Sequence, residues 1–187
     1  MKRTLFALAL AAVLPMTAQA GELSYNYVQG GYSAANVDGG DFNGFGVKGS
    51  FAFNDNFYGF ATYDSGDDNN VDLDQTSIGA GWHTSGDTQW FVEASYVNNE
   101  IDFGGGFNND DNGYAVAGGV RAKLSDKFEL NGKLTYTDVG DFGDGIGAGV
   151  GALFSFNDTW GAYGSYDYSD RGSFDMDTFS VGVRASF

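Results

Sequence analysis

Cysteine is absent from the 187 residues, proline and histidine each occur once, and lysine and arginine together number nine against 25 acidic residues. Without cysteine, neither a disulfide nor thiolate chemistry is available to the chain. Basic residues are too few to attract nucleic acid or an anionic lipid surface, since both would repel a formal charge of -16. That balance suits metal cations, basic partners or plain solubility. After the first twenty residues, no apolar run approaches the roughly twenty residues that a membrane-spanning helix needs, and the mean hydropathy is -0.25. If the chain enters a membrane, it does so as strands.

The start reads MKRTLFALALAAVLPMTAQA. Lys2 and Arg3 make a short positive region, Leu5 to Leu14 an apolar one, and Ala18-Gln19-Ala20 the small residues that a signal peptidase accepts. Residues 1–20 are therefore expected to be a cleaved signal peptide that takes Pro15 with it, leaving a single unit over residues 21–187. Loss of Lys2 and Arg3 leaves seven basic residues against 25 acidic ones, a mature charge of 7 - 25 = -18.

What the chain has in quantity is glycine (30 residues) and aromatic side chains (17%), with only 18% charged, a composition that suits short strands and tight turns. The last fourteen residues, FDMDTFSVGVRASF, show the organising pattern. Phe179, Val181, Val183, Ala185 and Phe187 alternate with small or polar residues, which marks a strand with one oily face and one wet face. Ten such strands are expected: about Glu22 to Ser33, Asn43 to Phe53, Phe57 to Asp64, Gln75 to His83, Thr88 to Asn98, Gly113 to Leu124, Lys127 to Thr137, Ile146 to Phe156, Thr159 to Tyr168 and Asp177 to Phe187. Eight strands remain possible if two segments lie outside the ladder.

The connections alternate between two kinds. Asn54-Asp55-Asn56, Thr84 to Asp87, Ser125-Asp126 and Asn157-Asp158 are tight turns, and the motifs FNDNF, LSDKF and FNDTW suggest a loosely repeated hairpin. Ala34 to Phe42, Ser65 to Asp74, Asn99 to Asn112, Asp138 to Gly145 and Ser169 to Met176 are expected to be longer acidic loops. Trp82, Trp90 and Trp160 flank short turns, while Tyr63, Tyr96, Tyr114, Tyr136, Tyr166 and Tyr168 gather at the other strand ends. Two bands of rings one strand apart match aromatic girdles at two membrane interfaces.

Lys48, Glu93, Arg121, Lys123, Glu129, Lys133 and Arg184 share parity with Ser, Gly, Thr and Asn rather than with Val, Leu and Phe. Charges facing mid-bilayer lipid cost about 2–4 kcal/mol each, so these seven are expected in a barrel lumen. Gly145, Gly147, Gly149 and Gly151, with Ala115, Ala117 and Gly119, either leave a water path there or make room for long side chains from across it. A barrel of this size is just wide enough to be filled by its own side chains, and filling is the expectation. Parity breaks twice. Leu23, Tyr25 and Tyr27 oppose Val28, Gly30 and Tyr32, which suggests a bulge near Gly30-Gly31, and the aromatics of FYGFATYD leave the faces of the third strand unassigned.

The terminal series Phe179, Val181, Val183, Ala185, Phe187 resembles the C-terminal strand by which bacterial outer-membrane β-barrels are recognised for assembly. The whole region from Gly21 to Phe187 resembles small Gram-negative outer-membrane barrels of the OmpX-like class. More narrowly, LSYNYVQGGY and FNDNFYGFATYD are similar to an outer-membrane family linked to quorum sensing and virulence in plant-associated gammaproteobacteria. The resemblance implies a closed antiparallel up-and-down transmembrane β-barrel with both termini periplasmic. Its implied partners are outer-membrane lipid and lipopolysaccharide, the barrel-assembly machinery and a host or cell-surface ligand, in biofilm, virulence or host contact. It implies no catalytic residue.

Two candidate sites remain. Barrel proteases and lipid-modifying barrels keep histidine with acidic or hydroxyl partners at the outer rim, whereas His83 falls beside a short turn, so no enzyme activity is expected. Asp67, Asp68, Asp72 and Asp74, with Asp110 and Asp111, are a possible weak divalent-cation site, although neither DSGDDNNVDLDQ nor GGGFNNDDNG has calcium-loop spacing. No other cofactor is implied. The readings left open are a non-enzymatic surface protein and a small cation-preferring channel.

Overall fold

The computed structural model describes residues 23–37, 40–68, 71–102, 108–140, 143–171 and 175–187. The expected signal peptide lies outside them. Ten strands follow one another: β1 (Tyr27–Val37), β2 (Gly40–Ala52), β3 (Phe57–Asp68), β4 (Val71–His83), β5 (Thr88–Asp102), β6 (Asn108–Ser125), β7 (Phe128–Val139), β8 (Asp144–Ser155), β9 (Trp160–Asp170) and β10 (Asp175–Ser186). Each pairs antiparallel with its sequence neighbours. Pairing of β1 with β10, from Tyr27 opposite Ser186 to Val37 opposite Met176, closes the barrel. Closure leaves no sheet edge, so the ladders satisfy the backbone where lipid offers no hydrogen bonds.

At one end, here the turn end, lie four tight turns and both described termini. The motifs FNDNF and FNDTW adopt the same local geometry. Asn54 Oδ1 accepts from the backbone N–H groups of Asn56 and Phe57, both at 3.0 Å, and Asn157 Oδ1 accepts from those of Thr159 and Trp160 at 3.0 and 2.8 Å. Asparagine in this position replaces a backbone partner, which is why the turn recurs with the same residue. In the turn of Thr84 to Asp87, Gly86 has φ 108°, a conformation open to glycine at little cost. LSDKF differs, with a register shift between Lys123 and Ser125.

The far end, here the distal end, departs from expectation. Most of the expected long acidic loops are strand. Asp67 and Asp68 end β3, Asp72 and Asp74 begin β4, and β6 runs back to Asn108, so that Asp110 and Asp111 are in the ladder. Asp, Asn and Gly have low strand propensity, but in a sheet pairing overrides it. Here cross-strand polar pairs support the extension. Asn36 Nδ2 donates to Asp41 at 2.9 Å, and the Tyr63 hydroxyl donates to Asp74 at 2.9 Å.

Directly paired residues share a face, which settles both parity breaks. No bulge occurs at Gly30-Gly31, since β1 runs in unbroken register with β2 and β10. Instead Tyr25 and Tyr27 point inward and are buried, while Val28, Gly30 and Tyr32 face out. In β3, Tyr58 and Phe60 are inward and buried, and Phe57 lies outside. The outer wall carries Phe57, Trp82, Trp90, Phe154 and Trp160 toward the turn end, then Ile78, Val116, Leu134, Val150 and Val183, then Tyr96, Tyr114, Tyr136 and Tyr166, all exposed. An apolar band between two aromatic girdles is the exterior of a transmembrane barrel.

Candidate functional site

The lumen at the turn end is bridged from wall to wall. Arg121 on β6 grips Glu129 on β7 with both arms of its guanidinium, Nε to Oε1 at 2.8 Å and Nη2 to Oε2 at 2.9 Å. Arg184 on β10 reaches the same carboxylate at 3.8 Å and donates from Nε and Nη2 to Gln29 Oε1 on β1 at 3.0 and 2.7 Å. All three charged side chains are no more than a tenth exposed. Two cations share one anion here, and two-pronged charge-assisted bonds are the strong kind. Buried charges so arranged tolerate removal of a partner poorly, because the charge left behind has no water.

Rings fill the space around this layer. The Arg121 guanidinium lies 4.4 Å over the Tyr25 ring, and that of Arg184 lies 4.1 Å over Tyr27. The other neighbours of Tyr25 are His83, stacked at 4.0 Å and 13° between planes, and Tyr58 at 4.2 Å. His83 Nδ1 is 2.8 Å from the Thr84 carbonyl, which can only accept, so Nδ1 carries the hydrogen. Tyr58, 1% exposed, donates its hydroxyl to Glu93 at 2.8 Å, and Glu93 lies 3.8 Å from Lys48 Nζ. The segment just before β1 lies across the mouth, beside an open pocket of about 190 Å³ that Ser24, Arg121, Glu129 and Arg184 help to line. Arg121 Nη1 donates to the Ser24 carbonyl at 3.2 Å, Phe187 N–H to the Asn26 carbonyl at 3.0 Å, and Ala52 N–H to Asn26 Oδ1 at 2.7 Å.

Glycines make room for this filling. A Cβ on Gly81 would come within 2.4 Å of Tyr58 Cζ, one on Gly119 within 2.5 Å of Phe91 Cζ, and one on Gly149 within 2.2 Å of Asp167 Oδ1. Each of these three inward side chains sits on a glycine of a neighbouring strand, so these glycines seat side chains.

Of the seven charged residues of the polar face, Arg121, Glu129 and Arg184 meet in one layer and Lys48 meets Glu93 above it. Lys123 pairs with Asp126 across its own turn at 3.0 Å. Lys133 pairs with Asp167 at 3.0 Å nearer the distal end, where the two side chains are 43% and 36% exposed, and Asp64 too is exposed. Phe179, Val181 and Val183 lie on the outer wall of β10, while Phe187 is buried at the end of the chain.

The six aspartates do not converge. Asp67 and Asp72 oppose each other on the outer wall, with Asp74 beside them, and Asp110 is outside opposite Glu100. Register places Asp68 and Asp111 on the inner wall, opposite Val71 and Asn99. Among the described residues, no group of three or more His, Cys, Asp or Glu side chains is arranged to hold a metal ion. The participation of Gln29, Tyr25 and Ser24 was not foreseen from sequence. The signal was there in part, as glycines directly across the ladder from inward rings, Gly81 opposite Tyr58 and Gly119 opposite Phe91.

A closed ten-stranded antiparallel barrel with an apolar exterior, two aromatic girdles and a charged interior defines a transmembrane β-barrel. The chain belongs to the outer membrane protein beta-barrel domain family, whose model matches residues 6–145, and it is an outer-membrane protein. No curated protein matches it. Among solved structures it is similar to the NanC porin, with 13% identity over 86% of this chain and 99% of that one and a TM-score of 0.49. The KdgM porin shows 12% identity over 86% and 99%, with a TM-score of 0.48. Ail, the attachment invasion locus protein of Yersinia pestis, shows 15% identity over 88% and 100%, with a TM-score of 0.41. Likenesses this remote carry no residue role across.

Proposed function

We propose that this chain is a non-conducting, non-enzymatic envelope protein that stands in the outer membrane with its turn end toward the periplasm and its acidic distal rim at the cell surface. The observation that carries the reading is the layer of Arg121, Glu129, Arg184 and Gln29, packed on Tyr25, Tyr27 and Tyr58. Its members come from β1, β3, β6, β7 and β10 and from the segment before β1, and together they reach across the lumen. His83 is stacked and bonded within this packing, a setting for structure rather than proton transfer.

The function then lies at the rim, on its outward carboxylates. Asp67, Asp72, Asp74, Glu100 and Asp110 suit basic partners on host or neighbouring cells, or divalent ions bridging to lipopolysaccharide phosphates. Biofilm, virulence or host contact is the setting proposed for them. Residues 1–20 serve as the export signal, and the terminal series Phe179 to Phe187 is the segment offered to the assembly machinery. The competing reading, a cation-preferring channel, draws on the water-exposed Asp64, Asp167 and Lys133.

Single-channel recording of the refolded mature chain in a planar bilayer separates the two. With insertion verified, a silent bilayer is expected, and discrete cation-selective steps would overturn the proposal.

A further inference from the structure

On the outer wall, near the distal girdle, two cross-strand rungs run side by side over β9, β10, β1 and β2. One aligns Tyr166, Phe179, Ala34 and Asn43, and the next aligns Tyr168, Asp177, Asn36 and Asp41. Ala34 is the one small residue among these eight. Its short side chain leaves an open cleft of about 380 Å³ between the rings of Tyr166 and Phe179 on one side and Asp41 and Asn43 on the other, with Asp177 and Asn36 above. That volume is at the lower end of the roughly 300–1,000 Å³ of small-molecule sites.

The groups round the cleft are held in place. The Tyr166 hydroxyl donates to Asp177, the Tyr32 hydroxyl donates to Asn43, and Asn36 Nδ2 donates to Asp41 at 2.9 Å. Each carboxylate keeps its second oxygen for another donor, and each amide keeps an N–H.

We infer that this cleft takes the hydroxyl-rich sugar headgroup of an outer-leaflet glycolipid. The polar rung offers acceptors and amide donors for vicinal hydroxyls, while Tyr166 and Phe179 offer flat faces to the C–H side of a sugar ring. With two carboxylates and no cation in its lining, the cleft does not take a phosphate headgroup directly. Directly toward the turn end, the same wall continues as Val181 and Val183 on β10, both exposed to lipid. The occupant therefore presents a sugar to the rim and a hydrocarbon tail to the strands, and enters sideways from the bilayer. This rests on the outward placement of the distal end proposed above.

The mature chain is refolded into nanodiscs of phosphatidylcholine containing equal small fractions of a monohexosyl diacylglycerol and a phosphatidic acid, and co-purifying lipids are counted by native mass spectrometry. One hexosyl lipid is expected to remain with the protein at tenfold or greater preference over both other lipids. Ala34→Trp, which fills the cleft on a lipid-facing surface, is expected to abolish the preference, and Asp177→Asn to weaken it several-fold; the second decides if the first does not fold. Equal retention of the three lipids overturns the inference, as does preference for phosphatidic acid or a preference that survives Ala34→Trp. Displacement by free hexose at the same headgroup concentration overturns sideways entry from lipid. Both leaflets carry the glycolipid, so the result is independent of orientation, which cysteine labelling of intact cells tests separately: Asp110→Cys reacts and Asp126→Cys does not if the distal end is outside.

Discussion

The two ends of this barrel treat charge in opposite ways. Toward the turn end, inward charges are buried, shared and clamped: Glu129 is held by Arg121 and Arg184 in a buried layer. Toward the distal end, Lys133 and Asp167 make a single contact at 3.0 Å with more than a third of each side chain exposed. The first arrangement ties β6, β7, β10 and β1 together, whereas the second is a pair that water already solvates. What differs is burial more than contact distance, and burial decides what a contact is worth.

The sharpest way to break this comparison is to remove one carboxylate at each end. Glu129→Ala leaves two buried guanidinium groups unpaired and should lower stability by about 3–5 kcal/mol, read as a lower urea midpoint for unfolding of the refolded barrel. Asp167→Ala should cost about 0–1 kcal/mol in the same titration. Similar losses at both positions would dissolve the distinction between the ends.

A smaller effect separates seat from surface among the glycines. Gly81→Ala drives a methyl into Tyr58 and should cost about 1–3 kcal/mol. Gly49→Ala, where nothing lies within 4 Å of the new Cβ, should leave the midpoint unchanged. A smaller effect still is expected of Arg184→Lys, which keeps the charge but loses the fork onto Gln29; about 1 kcal/mol is the expected loss in the unfolding titration. Smallest is Asp126→Ala. Its side chain is 95% exposed on a turn, and no measurable change is expected.

The same contrast explains how far the sequence could be read. The strand segments, the turn positions and the wall parity outside β1 and β3 are legible because they depend on period-two alternation and on local turn chemistry, as at Asn54 and Asn157. The acidic segments were misread because Asp, Asn and Gly describe a loop locally, while the ladder and bonds such as Tyr63 to Asp74 extend the strands through them. Tyr25 and Tyr27 suggest a bulge only if rings belong to the lipid face. The lumen holds rings too, wherever a neighbouring strand offers glycine. Parity placed Arg121, Glu129 and Arg184 on one wall, but which of them meet is set by stagger round the closed barrel, and no single strand carries that information.

The central claim is that the lumen is sealed at the turn end and wet toward the distal end. Its most direct test uses the absence of native cysteine. Thr135→Cys lies on the inner wall of β7, two residues beyond Lys133 in the distal direction, with the sealing layer between it and the turn end. In liposomes whose orientation is fixed by reference cysteines at positions 110 and 126, a small membrane-impermeant thiol reagent should modify Thr135→Cys from the distal side and not from the turn side. Equal modification from both sides would contradict the sealed layer.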